Sequence, residues 1–449
     1  MTDGRTEAAD VYVVAGKIAA LMAPGSTLDA RTSVDADGQH VLPGIVDAHT
    51  HFRTWSGHSD TLEQMLESAA YGGVTTAIGF VMGMNAPGTD LLHRVQEFGG
   101  GSNRTVPIDY ALHAAIADEP QTISQLGDVT ELGVNTFKMF MINRARKMMV
   151  DDAFLFRAMT QISALGGLAM VHAELEDVTC ALIEQNAGRT DVDEVRRFSL
   201  NRPEWAEAEA TRRALLIAER AECPVYVVHV TSERALDEIK LARARGQEVY
   251  AETCPQYLTL TEDDARRLGG LAKVAPPLRS ARDARVLMDA VLSGEINVVS
   301  SDHAPYTRAT KTDPATPYAD IPVGMPGTET LLPLMWSLLA SRGASVVDLI
   351  RVTTSNPASI FGLPGKGTLS VGADADITIV DLEHPSTING DNQHTTAGYS
   401  AYHGRSVPLT VKSTFVRGVP VLADGVLVND DRGRFLRRTV HTEGRQPTC

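Results

Sequence analysis

Two histidines one residue apart, His49 and His51 in VDAHTHFR, stand directly after the apolar run HVLPGI. Residues two apart on a strand project to one side, so both imidazoles should leave a strand end together while Thr50 faces the other way. An H-x-H pair alone is weak evidence, because buried histidines often just satisfy backbone groups. Three further strand-like runs end alike: His172 closes GLAMVHAE, His229 lies in CPVYVVHVT and Asp302 in INVVSSDHAP. Imidazole nitrogens and a carboxylate gathered from several strand ends form a donor set for divalent cations. Lys138, between Phe137 and Phe140 in VNTFKMFM, is the odd member. An ammonium there would repel a metal and lose its hydration. A lysine snorkelling to a rim is the plainer reading. Addition of carbon dioxide to the neutral amine gives instead a carbamate, an anion whose two oxygens can bridge two cations.

Elements able to place these residues follow from the pattern around them. Eight β-branched or apolar runs occur between about residues 42 and 305: HVLPGIVDAHTH, GVTTAIGFV, VPIDYALHAAI, VNTFKMFM, GLAMVHAE, CPVYVVHVT, EVYAETCP and INVVSSDHAP. Amphipathic stretches alternate with them, among them Asp60 to Tyr71, Asp152 to Ala164, Glu204 to Glu222 and Glu233 to Arg245. This alternation predicts an α/β fold, a (β/α)8 TIM barrel with its site at the C-terminal strand ends. DVYVVAGKIAAL near the start and GADADITIVDLEHP with LTVKSTFVRGVPVLADGVLV near the end predict a small β-sandwich built from both chain ends. The expected division is 1–43 and 366–435 for the sandwich, 44–365 for the barrel and 436–449 for a polar tail.

Composition narrows the function classes. The 449 residues carry 41 Lys plus Arg against 56 Asp plus Glu, a net charge of −15, which argues against nucleic acid or an anionic membrane as partner. The four cysteines, Cys180, Cys223, Cys254 and Cys449, show no C-x-x-C spacing, as expected in a reducing compartment. No apolar run reaches the ~18 residues of a membrane span and the first residues lack a signal-peptide pattern, so the expected location is cytoplasmic.

His49-x-His51, Lys138, His172, His229 and Asp302, in that order, resemble the amidohydrolase superfamily, specifically its cyclic amidase branch of hydantoinases, dihydropyrimidinases, allantoinases and dihydroorotases. ETCPQYLTLTEDD, KVAPPLRSA, GMPGTETLLPLM and NPASIFGLPGKGTLSVGADADITIVD extend the similarity over about residues 40 to 430. The resemblance implies a urease-like β-sandwich beside the barrel, a binuclear centre filled with zinc, and a homo-oligomer, dimer or tetramer. It assigns His49, His51 and Asp302 to one metal, His172 and His229 to the other, and carboxylated Lys138 to the bridge. Asp47 or a backbone carbonyl would orient the second histidine nitrogens. Two metals about 3.5–4 Å apart lower the pKa of a bridging water and present hydroxide to a ring carbonyl. Asp302 would take the water's proton and pass it to the departing amide nitrogen.

Departures from the pattern concern the substrate. Asn143 stands where many hydantoinases and dihydropyrimidinases place a tyrosine that donates to the oxyanion. Val323 replaces a frequent asparagine, and Ala275 holds a position that often meets the ring through its backbone. Arg53, two residues after His51, matches the carboxylate-binding arginine of dihydroorotases, whereas Tyr306 stands where those enzymes carry a histidine and Asn85 matches only loosely. The leading expectation is a metal-dependent hydrolase of a small cyclic amide, hydantoin or dihydropyrimidine in type. Allantoinase and dihydroorotase follow. A non-catalytic scaffold of the same fold is disfavoured because every expected ligand is present, and a hydrolase of acyclic amides is disfavoured by ETCPQYL and APPLR.

Overall fold

The computed structural model describes residues 6–26, 28–53, 57–82, 90–99, 104–119 and 121–438. Eight parallel strands pair in chain order into a (β/α)8 barrel. They are β1 (Ile45–Thr50), β2 (Val74–Met82), β3 (Asp109–Ala115), β4 (Thr136–Phe140), β5 (Leu168–His172), β6 (Val225–Val227), β7 (Val249–Thr253) and β8 (Val298–Val299). A parallel bridge between Thr50 and His303 brings the chain beyond β8 against β1. There the His51 amide donates to the His303 carbonyl at 2.6 Å. Such strands are buried on both faces, which is why they read as nearly continuous apolar runs. Ile78, Phe80, Met170, Tyr226, Val298 and Phe361 fill the interior, and a larger apolar layer lies between strands and helices.

The helices start where side chains can take up their free N–H groups. Thr61 and Gln64 form a reciprocal cap before Leu62–Tyr71, Asp151 caps Asp152–Ala164, and Ser232 caps Glu233–Ala244. The expected stretch from Glu204 forms a helix that stops at Arg220.

The first apolar run divides into two strands. His40–Pro43 pairs antiparallel with Ile377–Asp381, in a sheet completed by Thr410–Val416, Val419–Ala423 and Val426–Leu427, while β1 begins at Ile45. Gly44 permits the change of sheet: a Cβ there would lie 2.1 Å from Thr75 Oγ1. A hairpin of Asp10–Val14 and Lys17–Met22 packs beside this sheet through Ile18, which shares a core with Leu369, Ile377 and Phe415. Residues from both ends of the chain therefore build the smaller β layer. Lys366 joins it to the barrel, with Nζ 2.6 Å from Asp109, 2.6 Å from Asp376 and 3.0 Å from Asp374.

The stretch read as a polar tail starts with specific contacts. The Leu436 amide donates to Tyr110 O at 2.7 Å and the Arg438 amide to Gly133 O at 3.0 Å, and Arg438 is buried. Residues 439–449 lie outside the described residues.

Candidate active site

His49 and His51 do project together from the end of β1. Their ring centroids are 5.2 Å apart, and both lie against Phe80 of β2, at 4.8 and 5.0 Å. Thr50 turns to the neighbouring strand, where its hydroxyl donates to Ile78 O. Asp302 reaches the pair from beyond β8, with Oδ1 3.1 Å from His49 Nε2 and 3.4 Å from His51 Nε2. On the other side, the rings of His172 and His229 stand 4.6 Å apart, and His229 is 5.6 Å from His49. Lys138 Nζ comes 3.0 Å from His49 Nε2. The six residues thus occupy one mouth of the barrel.

Backbone geometry assists two of them. His229 and Asp302 adopt φ of 38° and 48°, a region that side chains other than glycine's enter at a cost. The surrounding hydrogen bonds hold this geometry. Glu252 Oε1 accepts from the His229 amide at 3.0 Å, while Ser301 donates its amide to Asp47 Oδ1 at 3.0 Å and its hydroxyl to His49 O at 3.3 Å.

The electrostatics favour lone pairs over charge on the imidazoles. Burial pushes His49, His51 and His229 well below their usual range, and the neighbouring Lys138 acts in the same direction. Neutral imidazoles are what a divalent ion requires. Burial also pushes the Lys138 amine down to about 8, against the pull of Asp302 and Glu252. Its Nζ lies 4.3 Å from the Phe80 ring centroid and 5.1 Å from that of Phe140. Phe80, distant in sequence, supplies one of these two aromatic faces, while Phe137, the immediate sequence neighbour, packs in the outer core.

Orientation of the rings rests on residues that the sequence reading did not single out. His49 Nδ1 lies 2.7 Å from Glu252 Oε1, so its Nε2 edge faces Lys138 and Asp302. Asp47, expected as partner alongside a backbone carbonyl, instead receives the Ser301 and His49 amides. Glu252 is the last residue but one of β7, within ETCPQYL, and its position near a strand end was the available signal. His172 Nε2 lies 2.9 Å from Glu174 Oε2, leaving Nδ1 for the cavity. Burial would raise the Glu174 carboxyl, but Arg202 and His172 outweigh it and hold it at about 2. Arg202 Nη1 is 3.1 Å from both Glu174 oxygens. The donor set therefore fits a metal centre: one nitrogen of His49 and of His172 is engaged by a carboxylate, the other is aimed inward, and oxygen and nitrogen atoms of His49, His51 and Asp302 lie within 4.8 Å of one another.

The residues expected at the substrate are less gathered. Asn143 adopts φ 73° just after β4, and its backbone N–H donates to Glu176 Oε2 at 2.8 Å. Ala275 and Val323 are half-buried on adjoining segments, linked by the Gly324 amide donating to Lys273 O at 2.9 Å. Arg53 is exposed, its backbone amide bonded to Asp60 O at 2.7 Å. Asn85 lies outside the described residues.

Known proteins are similar to this chain over almost its whole length. Residues 204–421 match the amidohydrolase family and 38–235 a dihydro-orotase-like family. A D-hydantoinase of Rhizobium radiobacter is 34% identical over 96% of this chain and 95% of its own. An L-hydantoinase of Paenarthrobacter aurescens is likewise 34% identical, over 97% and 96%. A solved D-hydantoinase structure superposes with a TM-score of 0.90 at 34% identity, covering 96% of this chain and 95% of that one. With strand-end histidines, buried lysine and aspartate gathered on the same barrel, the chain belongs to the amidohydrolase superfamily, in its cyclic amidase branch.

Proposed function

We propose that this enzyme opens the ring of a small neutral cyclic amide, hydantoin or dihydropyrimidine in type, at a binuclear centre held by His49, His51, Lys138, His172, His229 and Asp302. The observation that carries the reading is the convergence of these side chains, with the second nitrogens of His49 and His172 tied to Glu252 and Glu174. Two divalent ions, taken to be zinc, supply Lewis acidity toward a ring carbonyl and lower the pKa of a bound water when present. Lys138 is read as carboxylated, since burial favours its neutral, carbon dioxide-reactive amine and an anion is the useful form beside the other ligands.

Asp302 would accept the proton of the attacking water and deliver it to the amide nitrogen as the carbon–nitrogen bond breaks, a reading supported by its approach to His49 and His51. Water's oxygen ends in the new carboxylate, and the nitrogen leaves protonated as part of an N-carbamoyl or related acid. Asn143 could donate its amide to the developing oxyanion, while Ala275 and Val323 would border the ring. Membership of the branch supports a homo-oligomer, dimer or tetramer. The acidic composition and cysteine pattern favour a cytoplasmic enzyme, and among the described residues no helix is long and apolar enough to cross a membrane.

Dihydroorotate ranks below neutral rings because Arg53 is exposed. Parallel kinetics on hydantoin, dihydrouracil, allantoin and dihydroorotate, with protein prepared in zinc and bicarbonate, test the reading. Neutral rings should give the higher kcat/KM. No hydrolysis, or a preference for dihydroorotate that disappears in Arg53→Ala, would overturn it. Asp302→Asn should lower turnover by at least ~10²-fold, with metal content measured alongside because Asp302 is also a ligand.

A further inference from the structure

Lys273 and Lys311 are fully buried, at 2% and 0% exposure, yet neither forms an ion pair among the described residues. Each ammonium group is bonded instead to backbone carbonyls. Lys273 Nζ donates to Tyr318 O, to Ala319 O at 2.8 Å and to Ile321 O at 2.6 Å. Lys311 Nζ donates to Lys273 O at 3.0 Å, Pro322 O at 2.8 Å and Gly324 O at 2.6 Å. An ammonium carries three N–H donors, so both are saturated. The carbonyls of 318, 319, 321, 322 and 324 are thereby held from two neighbouring points, and the Lys311 bond to Lys273 O ties those points together.

The held segment borders the site. Ala304 donates its amide to Met325 O at 2.9 Å, and His303, next to Asp302, bridges Met325. Gly324 closes this approach, at φ 132° and with a position for Cβ only 2.5 Å from Ala304 O. Val323 lies between two of the three carbonyls that Lys311 binds, those of Pro322 and Gly324, and Ala275 is two residues beyond Lys273. Lys273 Nζ also lies 4.9 Å from the ring centroids of Phe198 and Tyr318, and Lys311 Nζ 6.0 Å from that of Tyr306. Charged hydrogen bonds are stronger and shorter than neutral ones, and burying two lysines with no carboxylate partner is a costly way to fix a loop unless its position matters.

We propose that Lys273 and Lys311 form a clamp that sets the pocket-side backbone at Ala275 and Val323, and so determines which ring the enzyme accepts. Both are positioning residues; neither touches the reacting atoms. The inference rests on the ring-opening reading for the place of substrate, and the test separates the two.

The neutral, nearly isosteric variants Lys311→Met and Lys273→Met are compared with wild type on the same four rings. Metal content should be unchanged and kcat should change by less than ~3-fold, while KM for the preferred ring rises by at least ~10-fold and the order of preference among rings shifts. Unchanged KM and preference in folded, metal-loaded variants overturn the clamp, as does a parallel fall of kcat for every ring. Should the lysine variants fail to fold, Gly324→Ala displaces the same segment from the Ala304 side and must produce the same KM shift. Wild-type enzyme that opens none of the rings would refute the proposed function separately. Amide exchange across 318–324 then decides the clamp, which is overturned if Lys311→Met leaves protection unaltered.

Discussion

Among the described residues, ligating groups crowd around a point fit for a cation in two places, and they answer the crowding in opposite ways. Where the smaller β layer meets the barrel, oxygens of Asp109, Asp374 and Asp376 lie within 4.8 Å of one another, as the donor atoms of His49, His51 and Asp302 do at the barrel mouth. At the first place the chain supplies its own cation. Burial would lower the Lys366 pKa, but Asp376 and Asp109 outweigh it and raise it above the usual lysine range. Arg417 adds a second positive charge beside Asp109. At the mouth the buried lysine faces mostly imidazoles, whose lone pairs neutralise nothing, and burial wins: Lys138 falls to about 8. One lysine is therefore held as a counter-ion while the other is pushed toward its neutral form, and the difference lies in the acceptors around them.

Exchanging the two lysines for neutral residues should expose this contrast most strongly. Lys366→Met strands buried carboxylates and should cost about 3–5 kcal/mol in urea unfolding, with metal content per folded chain unchanged. Stability equal to wild type would break the comparison. Lys138→Ala should do the reverse, sparing the fold while metal binding collapses and turnover falls by more than ~10²-fold, beyond the usual effect of an outer partner. Partial rescue by short carboxylic acids would identify the missing group as an anion.

Glu252 links the two kinds of environment, being a buried carboxylate that serves the histidine cluster. Burial raises it to about 8, opposed by hydrogen bonds from Tyr226 and the His229 amide. Glu252→Gln preserves shape but weakens the hold on His49 Nδ1, and metal affinity should fall by ~10–100-fold in competition with a chelator.

Asp60 provides a milder contrast. Burial would raise its carboxyl, but hydrogen bonds from His303, Thr396 and Thr395 hold it at about 2 against an ordinary 3.8. A depressed folded-state pKa contributes stability above the unfolded value and loses it as pH falls toward the folded one. Acid unfolding should therefore show about 2 kcal/mol lost between roughly pH 5 and 2, and Asp60→Asn should flatten that slope. The smallest expected effect is that of Arg53→Ala: as an exposed side chain it should change kcat/KM for neutral rings by less than ~3-fold, in line with the modest consequences of most surface substitutions.

Sequence alone determined the barrel and the identities of the metal-site candidates, because both are written in local patterns. A parallel strand buried on both faces must be a continuous apolar run, and a ligand at its end must interrupt that run with a polar residue. His49-x-His51, Lys138, His172, His229 and Asp302 are all such interruptions. Glu252 was equally visible in EVYAETCP but carries no side-chain type that separates an outer partner from a capping carboxylate. Tertiary structure decided everything that depends on approach across the barrel. It put Phe80 of another strand over Lys138, gave His49 to Glu252 instead of Asp47 or a backbone carbonyl, left Arg53 at the surface, and turned Lys273 and Lys311 inward onto carbonyls. These pairings join residues up to hundreds of positions apart, and which acceptor a buried lysine or histidine finds is set by the closing of strands and loops in space, a quantity that spacing along the chain does not encode.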